Sequence, residues 1–144
     1  MSERFVVACD GSPASVRALE FAVKEAGHLD ASIVVAHVLE WLPYSFLTVE
    51  ELEERHKRRG AEMERAKAKF LNPLVKPYQD QGIEMKVVVT YGKVAESLVD
   101  IIKSEKATQV FLGRKGYSDF SRLVFGSVAS TMAQVAPVPC IVVP

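Results

Sequence analysis

The residues best suited to chemistry in this 144-residue chain lie between positions 113 and 127, where the spacing is G-x2-G-x9-G-S. Glycines let main-chain N–H groups approach an anion, because no Cβ stands in the way. A helix that begins at the last Gly-Ser pair leaves its first N–H groups without internal partners, so they can bind phosphate oxygens. Arg114, Lys115 and Arg122 can add charge-assisted contacts. Turn glycines and an ordinary helix cap are the alternative. We favour an anion site lined by the main-chain amides of residues 113–128, because the segment joins an apolar strand pattern to an amphipathic helix pattern.

A second candidate segment follows the first apolar run of the chain, where the sequence reads Asp10-Gly11-Ser12-Pro13. Ser12 is predicted to cap a helix that has Pro13 in its first turn. Asp10 then ends a strand, where its carboxylate could accept hydrogen bonds from a ligand hydroxyl or amine, or only from its own loop. The segment lacks the three glycines of the dinucleotide fingerprint, and the chain contains no G-x4-G-K-[ST] phosphate loop.

The elements that must position these residues alternate along the chain. Five short runs are rich in β-branched and apolar residues, a pattern typical of strands that are covered on both faces. These are residues 5–9, 32–38, 85–90, 109–112 and 140–143. Apolar residues at helical spacing lie between them, starting at Ala18, Val94 and Val128. The alternation predicts a doubly wound α/β domain with a parallel sheet, whose ligands bind at the carboxyl ends of the strands.

The remaining helix pattern, from Glu50 to Lys69, is mostly charged and predicts a helix exposed to solvent. Apolar residues return at Met63, Ala66, Phe70 and Leu74, and Gly60 marks a weak point between the two halves. An aromatic loop from Trp41 to Leu47 precedes it. This loop either folds back under the helix or forms a lid or a contact for a protein partner.

Composition excludes several classes of protein. Lys plus Arg and Asp plus Glu are 18 each, so the balanced charge argues against nucleic acid or an anionic membrane as the main partner. The chain contains no membrane-spanning run or signal peptide pattern, so we expect one soluble, cytoplasmic domain over residues 1–144. Its two cysteines and three histidines lack metal-ligand spacing, and His37 is expected to be a hydrogen-bonded core residue. No carboxylate pair lies near the glycine segment, which favours binding over turnover.

Taken together, these segments resemble the universal stress protein family along the whole chain. The resemblance is carried by Val6-Val7-Ala8-Cys9-Asp10-Gly11-Ser12, Ala36-His37-Val38, Gly92-Lys93-Val94-Ala95, Gly126-Ser127-Val128-Ala129 and the run from Ala136 to Val143. The spacing G-x2-G-x9-G-S is the signature of the family's ATP-binding subgroup.

The resemblance implies a Rossmann-like fold of the adenine nucleotide α-hydrolase type, with strand order 3-2-1-4-5 and four helices. It would place Cys9 and Cys140 about 9–10 Å apart, too far for a disulfide. It implies ATP or another adenine nucleotide, with Mg or Mn on the phosphates. Adenine would lie at Val38 and Ala8, the ribose at Asp10 and Gly113, and the phosphates at Gly116, Gly126, Ser127 and Val128. With the loop cations, the implied site residues are Ala8, Asp10, Val38, Leu112, Gly113, Arg114, Lys115, Gly116, Gly126, Ser127 and Val128.

The resemblance further implies a homodimer formed through the last strand, from Cys140 to Val143. Arg114 departs from the family pattern, because the residue at that point is usually small. The sequence therefore suggests an ATP-binding stress-response dimer with at most slow hydrolysis. Two alternatives remain: a nucleotide hydrolase or transferase that uses Asp10 and Lys115, and an interaction protein with a vestigial pocket that recruits a partner through Trp41 to Leu47.

Overall fold

The computed structural model describes residues 2–40, 48–116 and 126–144. They contain a five-stranded parallel sheet of order β3-β2-β1-β4-β5, which confirms the predicted topology. The strands are β1 (Arg4–Ala8), β2 (Ser32–Glu40), β3 (Met85–Gly92), β4 (Gln109–Gly113) and β5 (Cys140–Val143). The aromatic loop from Trp41 to Leu47 and residues 117–125 of the glycine segment lie outside the described residues.

The sheet is covered on both faces, as its apolar runs predict. One face packs against α1 (Pro13–Leu29) and the helical segment that follows β2, with Phe5, Leu19 and Phe111 fully buried. The other face packs against α4 (Val94–Ser104) and α5 (Ser127–Val135), around Leu98 and Met132. Burial of alternate side chains on opposite faces fixes the strand register, because a slip of one residue would exchange the two faces.

The first helix begins where the sequence predicts. Ser12 is its N-cap, and the Ser12 side chain accepts a hydrogen bond of 3.2 Å from the N–H of Ser15. Pro13 occupies the first turn, where its missing N–H costs nothing. The cap fixes the point at which the chain leaves β1 and enters α1.

The charged helix is longer than its charged stretch. It comprises α2 (Val49–Arg65), a π-helical segment (Ala66–Leu71) and α3 (Asn72–Asp80), and it runs through Gly60 without interruption. No residue of α2 is buried, which confirms the prediction of a solvent-exposed helix. Leu71 and Val75 are buried farther along, with Met63, Phe70 and Leu74 packed beside them, so the C-terminal half packs on the sheet.

An ionic cluster ties together elements at the amino ends of the strands. Glu105, at the end of α4, bonds the guanidinium of Arg4 on β1 and the ammonium of Lys86 on β3. This cluster lies at the end of the sheet opposite the predicted ligand site. In the part of the chain that the structure describes, no helix is both long and apolar enough to cross a membrane.

Candidate functional site

A cleft opens at the carboxyl edge of the sheet, where β1 and β4 end side by side. From β1 the chain crosses to β2 on one side, and from β4 it crosses to β5 on the other, so the strand order reverses here. Ligands of open α/β sheets bind at such a reversal. All eleven residues that the sequence singles out line this one cleft.

One wall of the cleft is apolar. β2 runs four residues beyond the pairing of Ala8 with Ala36, which ends β1, so Val38 projects past the end of its neighbour. Val38, Ala8 and Leu112 line the cleft together with Ala36, Val94 and Leu98. Such a wall suits a flat, apolar group.

Asp10 stands at the end of β1, and its two carboxylate oxygens have different surroundings. One oxygen accepts a hydrogen bond of 2.8 Å from the N–H of Ser12, within the loop that follows β1. The other lies beside Gly116, where an added Cβ would stand 2.7 Å from it. Glycine at 116 therefore leaves room for the Asp10 carboxylate, which is exposed and can still accept a hydrogen bond from a ligand.

Gly113 is required for a different reason. A Cβ at this position would lie 2.8 Å from the main-chain carbon of Ala14 and 3.0 Å from the nitrogen of Ser15. These are atoms of the first turn of α1, so the end of β4 and the start of α1 approach closely only with glycine at 113. Gly113 lines the cleft, but its lack of a side chain is needed for the packing of β4 against α1.

The main-chain amides of the glycine segment are not all available to a ligand. Arg114 donates its N–H to the carbonyl of Val143 at 2.7 Å, and Gly126 donates its N–H to the carbonyl of Arg114 at 2.8 Å. The expectation that the amides of residues 113–128 line an anion site is therefore wrong for these two. Both hydrogen bonds join residues from different elements, so their pairing is not readable from local spacing.

The first turn of α5 does present unpaired amides. Gly126 caps it without a side-chain hydrogen bond, and the first intrahelical bond runs from Ser130 to Gly126. Among the described residues nothing accepts from the N–H groups of Ser127 and Val128. Both residues line the cleft, and the positive end of the helix dipole favours an anion there.

Charged side chains are separated along the cleft. Arg114 and Lys115 follow β4, whereas Asp10 follows β1 and Glu40 ends β2. The strand order β2-β1-β4 thus places Glu40 at the β2 end of the cleft and the cations at the β4 end, with Asp10 between them. Glu40 was missed because the apolar run predicted that β2 ends at Val38. Val94 and Leu98 lie four residues apart on the stripe of α4, so that pattern could have placed them.

Cys9 and His37 lie next to the cleft and are linked to each other. The Cys9 thiol lies 3.7 Å from the Ser15 hydroxyl, and burial raises its pKa. His37 donates from Nδ1 to the Cys9 carbonyl at 2.7 Å, and its ring meets Phe70 edge-on. The prediction that His37 is a hydrogen-bonded residue is confirmed, although it is only partly buried. Cys9 and Cys140 are both free thiols.

Metal ligands do not cluster in the described part of the chain. No group of three or more His, Cys, Asp or Glu side chains there could hold a metal ion.

The fold and the cleft define a class: a doubly wound α/β domain whose switch-point cleft opens onto the N-terminus of a helix. Comparison with known families narrows this class. The model of the universal stress protein family matches residues 1–144. The chain belongs to the universal stress protein family.

Individual relatives agree along nearly the whole chain. Universal stress protein MJ0531 of Methanocaldococcus jannaschii is 26% identical over 98% of this chain and 81% of its own length. Universal stress protein YxiE of Bacillus subtilis is 24% identical over 99% of both chains.

Solved structures share the fold. The protein MJ0577 superposes with a TM-score of 0.82 at 22% identity, covering 99% of this chain and 96% of its own. A universal stress protein of Archaeoglobus fulgidus in complex with dAMP gives a TM-score of 0.63 at 22% identity, covering 100% and 98%. A universal stress protein family protein of Arabidopsis thaliana with AMP bound gives a TM-score of 0.64 at 15% identity. The superposition covers 98% of this chain and 90% of that protein.

Proposed function

We propose that this protein binds adenine nucleotides, ATP among them, in the cleft at the carboxyl edge of the sheet. The observation that carries the proposal is the first turn of α5, where the Ser127 and Val128 amides find no acceptor among the described residues and line the cleft beside Arg114 and Lys115. Two relatives of the same fold bind AMP and dAMP. A nucleoside phosphate suits a cleft that is apolar along one wall and cationic at the other end.

The chemistry of the lining residues suggests how the ligand lies. Adenine would pack on the apolar wall formed by Ala8, Val38 and Leu112, beside β2. The ribose hydroxyls would donate to the exposed carboxylate of Asp10, close to Gly113 and Gly116. This arrangement directs the phosphates toward α5.

The phosphates would accept hydrogen bonds from the main-chain amide and the hydroxyl of Ser127 and from the main-chain amide of Val128. Gly126 would act through its position as helix cap, because its own N–H is already donated to Arg114. A divalent cation such as Mg or Mn would arrive on the phosphate oxygens, since the described residues offer no metal-ligand cluster. It would neutralise part of the phosphate charge.

We also propose that the protein acts as a homodimeric regulatory module of the stress response. Among the described residues, β5 (Cys140–Val143) is the last strand of the sheet and pairs with β4 alone. Its four residues are only partly buried, so its outer edge is available to a second copy.

The nucleotide proposal is tested by placing a negative charge where the phosphates should bind. Ser127→Asp puts a carboxylate in the first turn of α5, which is favourable for the helix dipole and therefore preserves the fold. The variant should lose at least about tenfold in affinity for Mg-ATP, measured by isothermal titration calorimetry. Gln134→Glu adds the same charge about 10 Å farther along α5 and is the matched control.

Affinity retained in Ser127→Asp would contradict the proposed phosphate position. A lack of ATP, ADP and AMP binding by the unaltered protein would contradict the proposed function itself.

A further inference from the structure

We propose that Arg114 and Lys115 make this cleft select nucleotides by phosphate number, so that triphosphates bind more tightly than monophosphates. The inference rests on the nucleotide-binding function proposed above and identifies the preferred ligand within that class.

The main chain of Arg114 is held firmly at the rim of the cleft. Its N–H donates to Val143 at the end of β5, and its carbonyl accepts from Gly126 at the start of α5. Both hydrogen bonds are short, at 2.7 and 2.8 Å. Arg114 thus links the edge strand to the helix whose first amides face the cleft, and the base of its side chain has a fixed position.

Neither cationic side chain forms an ion pair with another described residue. Both line the cleft; Arg114 is exposed and Lys115 is partly buried. The ion pairs within residues 2–40, 48–116 and 126–144 include those of Arg4, Lys67, Lys76 and Lys86, and neither Arg114 nor Lys115 takes part in one. Their charges are therefore available to a ligand.

The acidic residues of the cleft give the site a direction. Asp10 and Glu40 stand at the ends of β1 and β2, whereas the cations follow β4. The negative end of a ligand is repelled from the β2 side and drawn toward β4 and α5. Phosphates added to a nucleotide extend the chain at this cationic end.

The amides and the cations therefore act on different parts of the ligand. The N–H groups of Ser127 and Val128 are fixed, close together and suited to one phosphate group. Arginine and lysine side chains are long, and they reach oxygens beyond that first group. Each further phosphate adds negative charge, so Arg114 and Lys115 stabilise bound ATP more than bound AMP.

The test compares ATP, ADP and AMP by isothermal titration calorimetry without divalent cations, on the full chain. The unaltered protein should bind ATP about tenfold or more tightly than AMP. The double variant Arg114→Gln, Lys115→Gln should lower ATP affinity about tenfold and AMP affinity less than about threefold. Lys103→Gln, in the last turn of α4 about 14 Å from its start along the axis, should change neither.

A second measurement needs no variant. Raising the salt concentration from about 0.05 to about 0.5 M should reduce the ratio of ATP to AMP affinity in the unaltered protein, because salt screens the attraction between the phosphates and the two cations. Binding of all three nucleotides with a ratio that neither the double variant nor salt alters would overturn this inference and leave nucleotide binding intact. Failure of the unaltered protein to bind any of them would overturn both.

Discussion

Two glycines of the G-x2-G spacing are glycine for different physical reasons. At Gly113 the nearest neighbours of an added Cβ are the main-chain carbon and the Cβ of Ala14, which can move only if α1 itself moves. At Gly116 the neighbour is the carboxylate of Asp10, the end of a side chain that can rotate. In this one spacing, Gly113 lets β4 and α1 pack closely, and Gly116 leaves room in the cleft for the carboxylate of Asp10.

Replacement of Gly113 by alanine should therefore destabilise the fold. The added methyl group would stand 2.8 Å from Ala14, so β4 and α1 must separate or distort. We expect a loss of about 1–3 kcal/mol in the free energy of unfolding, measured by urea denaturation. Gly116→Ala is the matched comparison and should cost clearly less. Equal losses in the two variants would contradict this explanation of Gly113.

Cys9 makes the stability of the fold depend on pH. Burial raises the pKa of its thiol in the folded protein above the ordinary value of a cysteine thiol, which the unfolded chain retains. Below that value both states hold the proton and stability is unaffected. As the pH rises above it, the unfolded chain loses the proton first, so the free energy of unfolding falls until the folded thiol also ionises.

The Cys9→Ala variant isolates this contribution. Burial also raises the pKa of Cys140 and of Tyr78, so the unaltered protein and the variant should both lose stability in alkali. The loss between about pH 8 and 10, measured by urea denaturation, should be smaller in the variant. Identical pH profiles would show that Cys9 has no part in it.

At the scale of elements, local pattern predicted most of the sheet and part of the helices. Strands buried on both faces appear as continuous apolar runs, and β5 (Cys140–Val143) matches its prediction at both ends. β2 extends past its run to Glu40 because β3 pairs with it to that point. The long helix continues through Pro73 and Pro77. Its π-helical segment ends just before Pro73, and the buried side chains of Leu71 and Val75 hold this part of the helix on the sheet.

The ionic cluster at the amino ends of the strands joins three elements. Glu105 of α4, with only 14% of its side chain exposed, bonds Arg4 of β1 and Lys86 of β3. Glu105→Gln should lower the free energy of unfolding by about 1 kcal/mol, since it weakens both ion pairs. Urea denaturation at low and high salt measures the loss.

Asp80→Asn is the control for the cluster. It removes an exposed ion pair with Lys76 within one helix, where both side chains are more than half exposed, and it should cost less than about 0.5 kcal/mol. If Asp80→Asn lowers the free energy of unfolding as much as Glu105→Gln does, an ion pair between separate elements stabilises the fold no more than one within a helix.

At the scale of the whole molecule, the proposed dimer depends on the free edge of β5. Pro139 and Val143 direct their carbonyls to β4, so Cys140 and Val142, which alternate with them, direct their main-chain groups outward. Val142→Pro removes an outward N–H without breaking the pairing with β4. It should shift the protein from dimer to folded monomer in sedimentation velocity. A variant that stays dimeric would contradict pairing through this edge.

The position of the cleft could be predicted from the sequence, whereas its donor pattern could not. The end of β1, the end of β4 and the start of α5 are all visible as local signals, and parallel topology brings them together. The occupied amides of Arg114 and Gly126 depend on contacts with Val143 and between loop ends, which no local pattern encodes. The order of the strands and the position of α5 determine which of these N–H groups have a protein acceptor and which can bind a ligand.

The most direct test of nucleotide binding at α5 follows the main-chain N–H groups around the cleft while ATP is added. In an amide NMR titration with Mg-ATP, the N–H signals of Ser127 and Val128 should move strongly downfield, because they gain charged acceptors. The N–H groups of Arg114 and Gly126 keep their protein partners and should move less. If ATP binds while the signals of Ser127 and Val128 stay in place, the phosphates lie elsewhere and the central claim is wrong.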